Sequence, residues 1–134
     1  MRRIAVAALT VGALVGGGLA APTQAWDGDY GRLRATDKVL KDGCHAYRYY
    51  YRIKPRTPEW ALETFLRDPS RDTIAHNALD NFTDPRRGHS RFRICRNVTR
   101  PGKFKIRGKL TRYNGSEQTV VWIRPVVFRM RRPG

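Results

Sequence analysis

In the stretch DPSRDTIAHNALDNFTD, residues 68–84, Asp68, Asp72, His76, Asp80 and Asp84 recur at intervals of four. On a helix that spacing would gather four carboxylates and an imidazole on one face, and Asp with His can hold a metal ion. Pro69 and Pro85 bracket the stretch, however, and the spacing is not the D-x-D-x-D-G of a calcium loop. Asp and Asn are also ordinary turn residues. A long connection between strands, with TIAHNAL as one short strand or helical turn, accounts for the whole stretch, and no metal or other cofactor is assigned.

Hydrolytic constellations are thin. A nucleophilic triad needs a Ser or Cys, a base and an orienting group brought together. His45, His76 and His89 are dispersed, and Ser70, Ser90 and Ser116 sit in no nucleophile-elbow context. Glu59 and Glu63 could supply two carboxylates for glycoside hydrolysis, but four apart on a strand they share only a solvated face. No phosphate-cradling Gly loop, HExxH or CxxC occurs. The sequence leads away from catalysis, with a small extracellular hydrolase held in reserve.

Positive charge is what the sequence offers in quantity. The 134-residue chain carries 27 Lys+Arg against 11 Asp+Glu, a formal net charge of +16. Residues 1–25 read as an export signal: Arg2 and Arg3 lead an apolar run, IAVAALTVGALVGGGLA, and Thr23 and Ala25 occupy −3 and −1 of a cut before Trp26. The Gly-rich run is a poor spanning helix, and no second transmembrane segment follows. Removing Arg2 and Arg3 leaves 27 − 2 = 25 cations against 11 anions, or +14. Such a field attracts polyanions with little regard to identity. Outside a cell these include anionic surface polymers, lipid head groups and, without sequence preference, nucleic acid.

The densest basic stretch is DPRRGHSRFR, with Arg86, Arg87, Arg91 and Arg93 around His89, joined by RMRR at 129–132. HAYRYYYRIK, residues 45–54, adds Arg48 and Arg52 interleaved with Tyr. Arg is suited to bidentate contact with phosphate or carboxylate. These six arginines are the anion-binding candidates.

Strands must position them. In an extended chain Tyr47, Tyr49, Tyr51 and Ile53 fall on one face, and Ala46, Arg48, Tyr50 and Arg52 on the other. Apolar-in, basic-out alternation explains the Tyr/Arg interleaving without a base-stacking platform. The pattern recurs in EWALETFLRDP (Trp60, Leu62, Thr64, Leu66), SRFRICRNV (Phe92, Ile94) and GKFKIRGKL (Phe104, Ile106, Gly108, Leu110). QTVVWIRPVVFRM reads as a long strand bent or bulged near Pro125. Turns fall at KPRTPE, TRPGK and YNGSEQ, the last with an Asn114-Gly115 hairpin signal. Short strands at this spacing indicate an all-β, antiparallel two-sheet sandwich over residues 43–132, preceded by a flexible lead-in over 26–42 that adds at most an edge strand around Val39 and Leu40. Cys44 and Cys95, an even count in an exported chain, read as one disulfide.

Trp60 early in a strand, and the turn-then-strand unit TRPGKFKIRGKL, resemble an immunoglobulin-like or fibronectin-type sandwich. Cys95 sits one strand before the place the antibody pattern expects. Through GCHAYRYYYRIKP, EWALETFLRDP and RFRICRNVTRPGKFKIRG, residues 43–130 are also similar to small secreted proteins of high-GC Gram-positive bacteria, a resemblance that implies no activity. The expectation is a secreted binding module for an anionic surface polymer or an acidic protein. The alternative is a protease inhibitor or effector acting through a loop at 68–90.

Overall fold

The computed structural model describes residues 28–134; the expected export signal lies outside the described residues. Eight strands follow one another: β1 Gly31–Arg34, β2 Lys38–Val39, β3 Cys44–Ile53, β4 Glu59–Arg67, β5 Thr73–Asp80, β6 Arg87–Cys95, β7 Gly102–Asn114 and β8 Glu117–Arg131. Among the described residues the only helical piece is a 3-10 turn, Arg96–Val98. The strands form a three-stranded sheet, β1-β3-β6, and a five-stranded sheet, β2-β8-β7-β4-β5. The chain crosses between sheets after β1, β2, β3, β5 and β6, and among the described residues makes hairpins at β4-β5 and β7-β8. All pairings are antiparallel except β2 with β8.

The alternation read from the sequence decides which side faces in. Tyr47, Tyr49, Tyr51 and Ile53 of β3 are buried, as are Trp60, Leu62, Thr64 and Leu66 of β4 and Phe104, Ile106 and Leu110 of β7. They merge into two adjoining clusters, one around Leu40, Tyr49, Phe92, Phe104 and Met130, the other around Ile53, Trp60, Leu110 and Ile123. A polar pin crosses the interior. Tyr49 Oη of the three-stranded sheet lies 2.7 Å from Thr64 Oγ1 of the five-stranded one. Asn77 Nδ2 on β5 donates to Tyr49 Oη, to Ser90 Oγ and to the Arg91 carbonyl on β6. Thus the β5 and β6 margins are tied by hydrogen bonds as well as packing.

Three expectations change. The edge strand expected around Val39 and Leu40 is present as β2 beside β8, but the rest of 28–42 is not a lead-in along its length: β1 joins β3, and Leu40 is fully buried. Gly31 makes this possible, because a Cβ there would lie 2.7 Å from the Arg52 carbonyl oxygen. Nor is 68–90 a loop. Strand β5 runs through it, paired with β4, and β6 begins at Arg87, leaving two short turns. The β7-β8 hairpin turns on Gly115 and Ser116 rather than Asn114 and Gly115, since Asn114 still pairs with Glu117. Gly115, at φ 62°, supplies the positive φ required at the first of two central residues. The bulge expected near Pro125 is present. Ile106 pairs with Val126 and Gly108 with Ile123, so Arg124 and Pro125 together oppose Arg107.

The disulfide joins Cys44 and Cys95 at directly opposed positions of β3 and β6. It therefore staples one sheet rather than linking the two, and Trp60 packs in a different part of the core.

Candidate anion-binding face

Because β3 and β6 turn their apolar residues inward, every alternate residue faces out. The pairing registers set those residues in rows across the three-stranded sheet. Arg32, Arg52 and Arg87 form one row, and Arg34, Tyr50 and His89 the next. Arg48 then opposes Arg91, Ala46 opposes Arg93, and the disulfide closes the end. All seven arginines are exposed. With strands about 4.8 Å apart and like-facing residues about 6.7 Å apart, seven guanidinium groups stand on roughly 10 by 20 Å.

None of the three strands carries an Asp or Glu. Glu63 pairs with His76 (3.5 Å) and with Lys109 (3.7 Å), both on the other sheet. Asp29 borders a shallow depression beside Arg32 and Arg52, where Lys54 and Arg56 outnumber it. The Arg34 guanidinium lies over the Tyr50 ring, 5.0 Å from its centroid, and His89 stands 6.2 Å away at a tilt. One face of Tyr50 is thus occupied by Arg34, which leaves the Tyr/Arg interleaving as strand alternation with a cationic surface.

At the β1 end this surface dips into a cleft of about 660 Å³ lined by Arg32, Arg34, Tyr50, Arg52, Arg87 and His89. Beneath it, Tyr51 Oη donates to the Pro85 carbonyl at 2.8 Å and fixes the turn that leads into Arg87. Burial, then the Asp84 carboxylate and Tyr49, push the Tyr51 phenol above its ordinary value, so it remains a donor.

Of the six arginines singled out from sequence, Arg48, Arg52, Arg87, Arg91 and Arg93 share this face. Arg86 does not. It precedes the strand, its Nη2 reaches the Thr57 carbonyl at 3.5 Å, and its own carbonyl accepts from Ile53 N. The RMRR run also lies elsewhere, on β8 of the five-stranded sheet and beyond it. Sequence reasoning missed Arg32 and Arg34. The signal lies in GRLRA, where Gly31 and Leu33 alternate with Arg32 and Arg34 inside the expected lead-in.

The regularly spaced acidic residues hold turns. Asp68 Oδ1 accepts from Ser70 N and Asp72 N, and its Oδ2 from Thr99 Oγ1. Asp80 Oδ1 accepts from Phe82 N and Thr83 N, while Asp84 Oδ2 accepts from Asp80 N. These groups sit at opposite ends of β5, and among the described residues no three His, Cys, Asp or Glu side chains gather as a metal set. Four residues apart on β4, Glu59 and Glu63 are about 13 Å apart, too far for the two carboxylates of glycoside hydrolysis.

The outer face of the five-stranded sheet is different in kind. His76 stacks on Phe65 at 4.8 Å, Phe65 tilts toward Trp122 at 6.3 Å, and Arg107 covers the Trp122 ring at 4.5 Å. Burial, then nearby Arg67, draws the Arg107 guanidinium below its ordinary value. These rings pack on one another across strands and stabilise the sheet. No protein-family model matches the chain, and no curated protein matches it either.

Proposed function

We propose that the protein is an exported binding module for linear polyanions, built on an immunoglobulin-like sandwich and working without catalysis. One observation carries the reading: the outer face of β1-β3-β6 holds seven arginines in register and no carboxylate. Like charges directly opposed across strands are destabilising, so the arrangement favours a surface meant to be neutralised by something else. A polymer with repeating anionic groups matches it better than a compact acidic protein, because the arginines form an extended field without an apolar centre. The disulfide suits an oxidising compartment, and among the described residues no helix is long and apolar enough to cross a membrane. The strand order, with three strands facing β8-β7-β4-β5 and β2 running parallel to β8, supports the immunoglobulin-like reading.

The test is retention on an anionic polymer, heparin or a wall polyphosphodiester, as salt is raised from ~50 to ~500 mM. With about five phosphates neutralised, log K should fall against log salt with a slope of roughly −4. Replacing Arg48 and Arg91 together by Gln should flatten that slope by about two. Affinity independent of salt overturns the proposal.

A further inference from the structure

Within the cationic face, we infer that Arg32, Arg52 and Arg87 form a subsite for a dianionic phosphate group, a phosphomonoester at the end of a chain or on a small sugar. The inference rests on the polyanion reading and adds a specificity to it. Three features set this row apart. It is the one row of the sheet in which every strand contributes an arginine, so three planar forks stand side by side. The row lines the cleft of about 660 Å³, whereas Arg48, Arg91 and Arg93 lie on the open surface beyond it. Its geometry is fixed from below: Gly31 lets β1 close on the Arg52 backbone, and Tyr51 secures the turn before Arg87.

The chemistry follows from the groups. A phosphomonoester presents three terminal oxygens and close to two negative charges, where a diester presents two oxygens and one charge. Three guanidinium groups satisfy the first fully and are in excess for the second. The neighbouring row, with Arg34 over Tyr50 and His89 tilted alongside, borders the same cleft on the side where a sugar attached to the phosphate would lie.

Titration calorimetry of the disulfide-bonded chain with glucose 6-phosphate, inorganic phosphate and dimethyl phosphate tests this. The monoester and inorganic phosphate should bind at least about tenfold more tightly than the diester. Arg52→Gln or Arg87→Gln should weaken the monoester roughly ten- to a hundredfold, as loss of a charged hydrogen-bond partner predicts. Arg48→Gln and Arg91→Gln, which remove the same charge from the same face, should weaken it less than about threefold. Arg52→Lys keeps the charge and guards against misfolding; it too should weaken the monoester, because the fork is lost. Binding of inorganic phosphate without the sugar phosphate would reject the open-walled site. Equal weakening by all four Gln variants, or no preference for monoester over diester, would overturn the subsite while leaving polymer retention intact. Failure of the unsubstituted protein to be retained on the polymer would instead sink the broader proposal.

Discussion

Replacing Tyr49 by Phe should destabilise the protein by about 2 kcal/mol, and adding Thr64→Val should restore part of that loss. Tyr49 and Thr64 are 1% and 0% exposed, and their oxygens are 2.7 Å apart across the two sheets. The phenol also accepts from Asn77 Nδ2 at 3.2 Å. Removing the phenol oxygen takes away a hydrogen bond worth about 1 kcal/mol and leaves the Thr64 hydroxyl buried without its partner, a further cost of about 1 kcal/mol or more. Asn77 keeps the Arg91 carbonyl at 2.7 Å, so its amide is not orphaned. Val at 64 preserves the shape and removes the stranded hydroxyl. The double variant should therefore lie within about 1 kcal/mol of wild type, although each single change costs more. Urea unfolding of the four proteins closes the cycle, with a coupling of at least about 1 kcal/mol and an unchanged m-value expected. Additive effects, within about 0.5 kcal/mol, would mean that the inter-sheet pin contributes nothing beyond its packing volume.

Other outcomes follow from the same packing. Replacing Cys44 and Cys95 by Ser frees a loop with a sequence separation of 51, which should cost about 4 kcal/mol and lower the urea midpoint by roughly 2 to 3 M. Asp68→Ala strands two backbone amides and the Thr99 hydroxyl around a buried position; a loss of about 1 to 3 kcal/mol should appear in thermal melts, with added calcium raising the melting temperature of neither protein. The Tyr51 phenol is raised, so its contribution is fully present below the unfolded value of 10.0 and is lost as pH rises through the higher folded value. Phenolate absorbance should accordingly show a late-ionising component that Tyr51→Phe diminishes, with stability falling above about pH 10.

Much of the architecture was legible because a strand has a period of two and this chain keeps to it. Wherever four or more alternating positions were apolar, as in β3, β4 and β7, the inward face was correctly identified and the outward arginines with it. The failures came where burial is shared with a distant partner. β1 is four residues long and carries one apolar side chain, Leu33, so its place at a sheet edge depends on β3 rather than on local pattern. TIAHNAL reads equally as a short strand or a helical turn because Asp and Asn recur through 68–84, yet Asn77 is spent on the Tyr49 pin and the Asp residues on the turns at the two ends of β5. The cationic face inherited both limits. Arg48 and Arg52 could be read from β3 and Arg91 and Arg93 from β6, but Arg87 fell in the expected loop and the row that completes the cleft needed the registers of β1 and β6.

The same register places the fold and its proposed ligand in opposition, and that opposition can be measured. Arg52 stands between Arg32 and Arg87, each directly opposed to it. Like-charged cross-strand neighbours are unfavourable by a few tenths of a kcal/mol per pair in an exposed sheet, and Thr suits an outward strand position. Arg52→Thr should therefore stabilise the free protein by roughly 0.5 kcal/mol at low salt, and by less as salt screens the repulsion. In the same variant, affinity for an anionic polymer should drop. A surface that is cationic for no ligand has no reason to link these quantities. A surface kept cationic for a ligand must give up stability to bind, and restoring one forfeits the other. If Arg52→Thr leaves retention unchanged, or weakens folding and binding together, the arginine row is part of the scaffold and the binding face lies elsewhere.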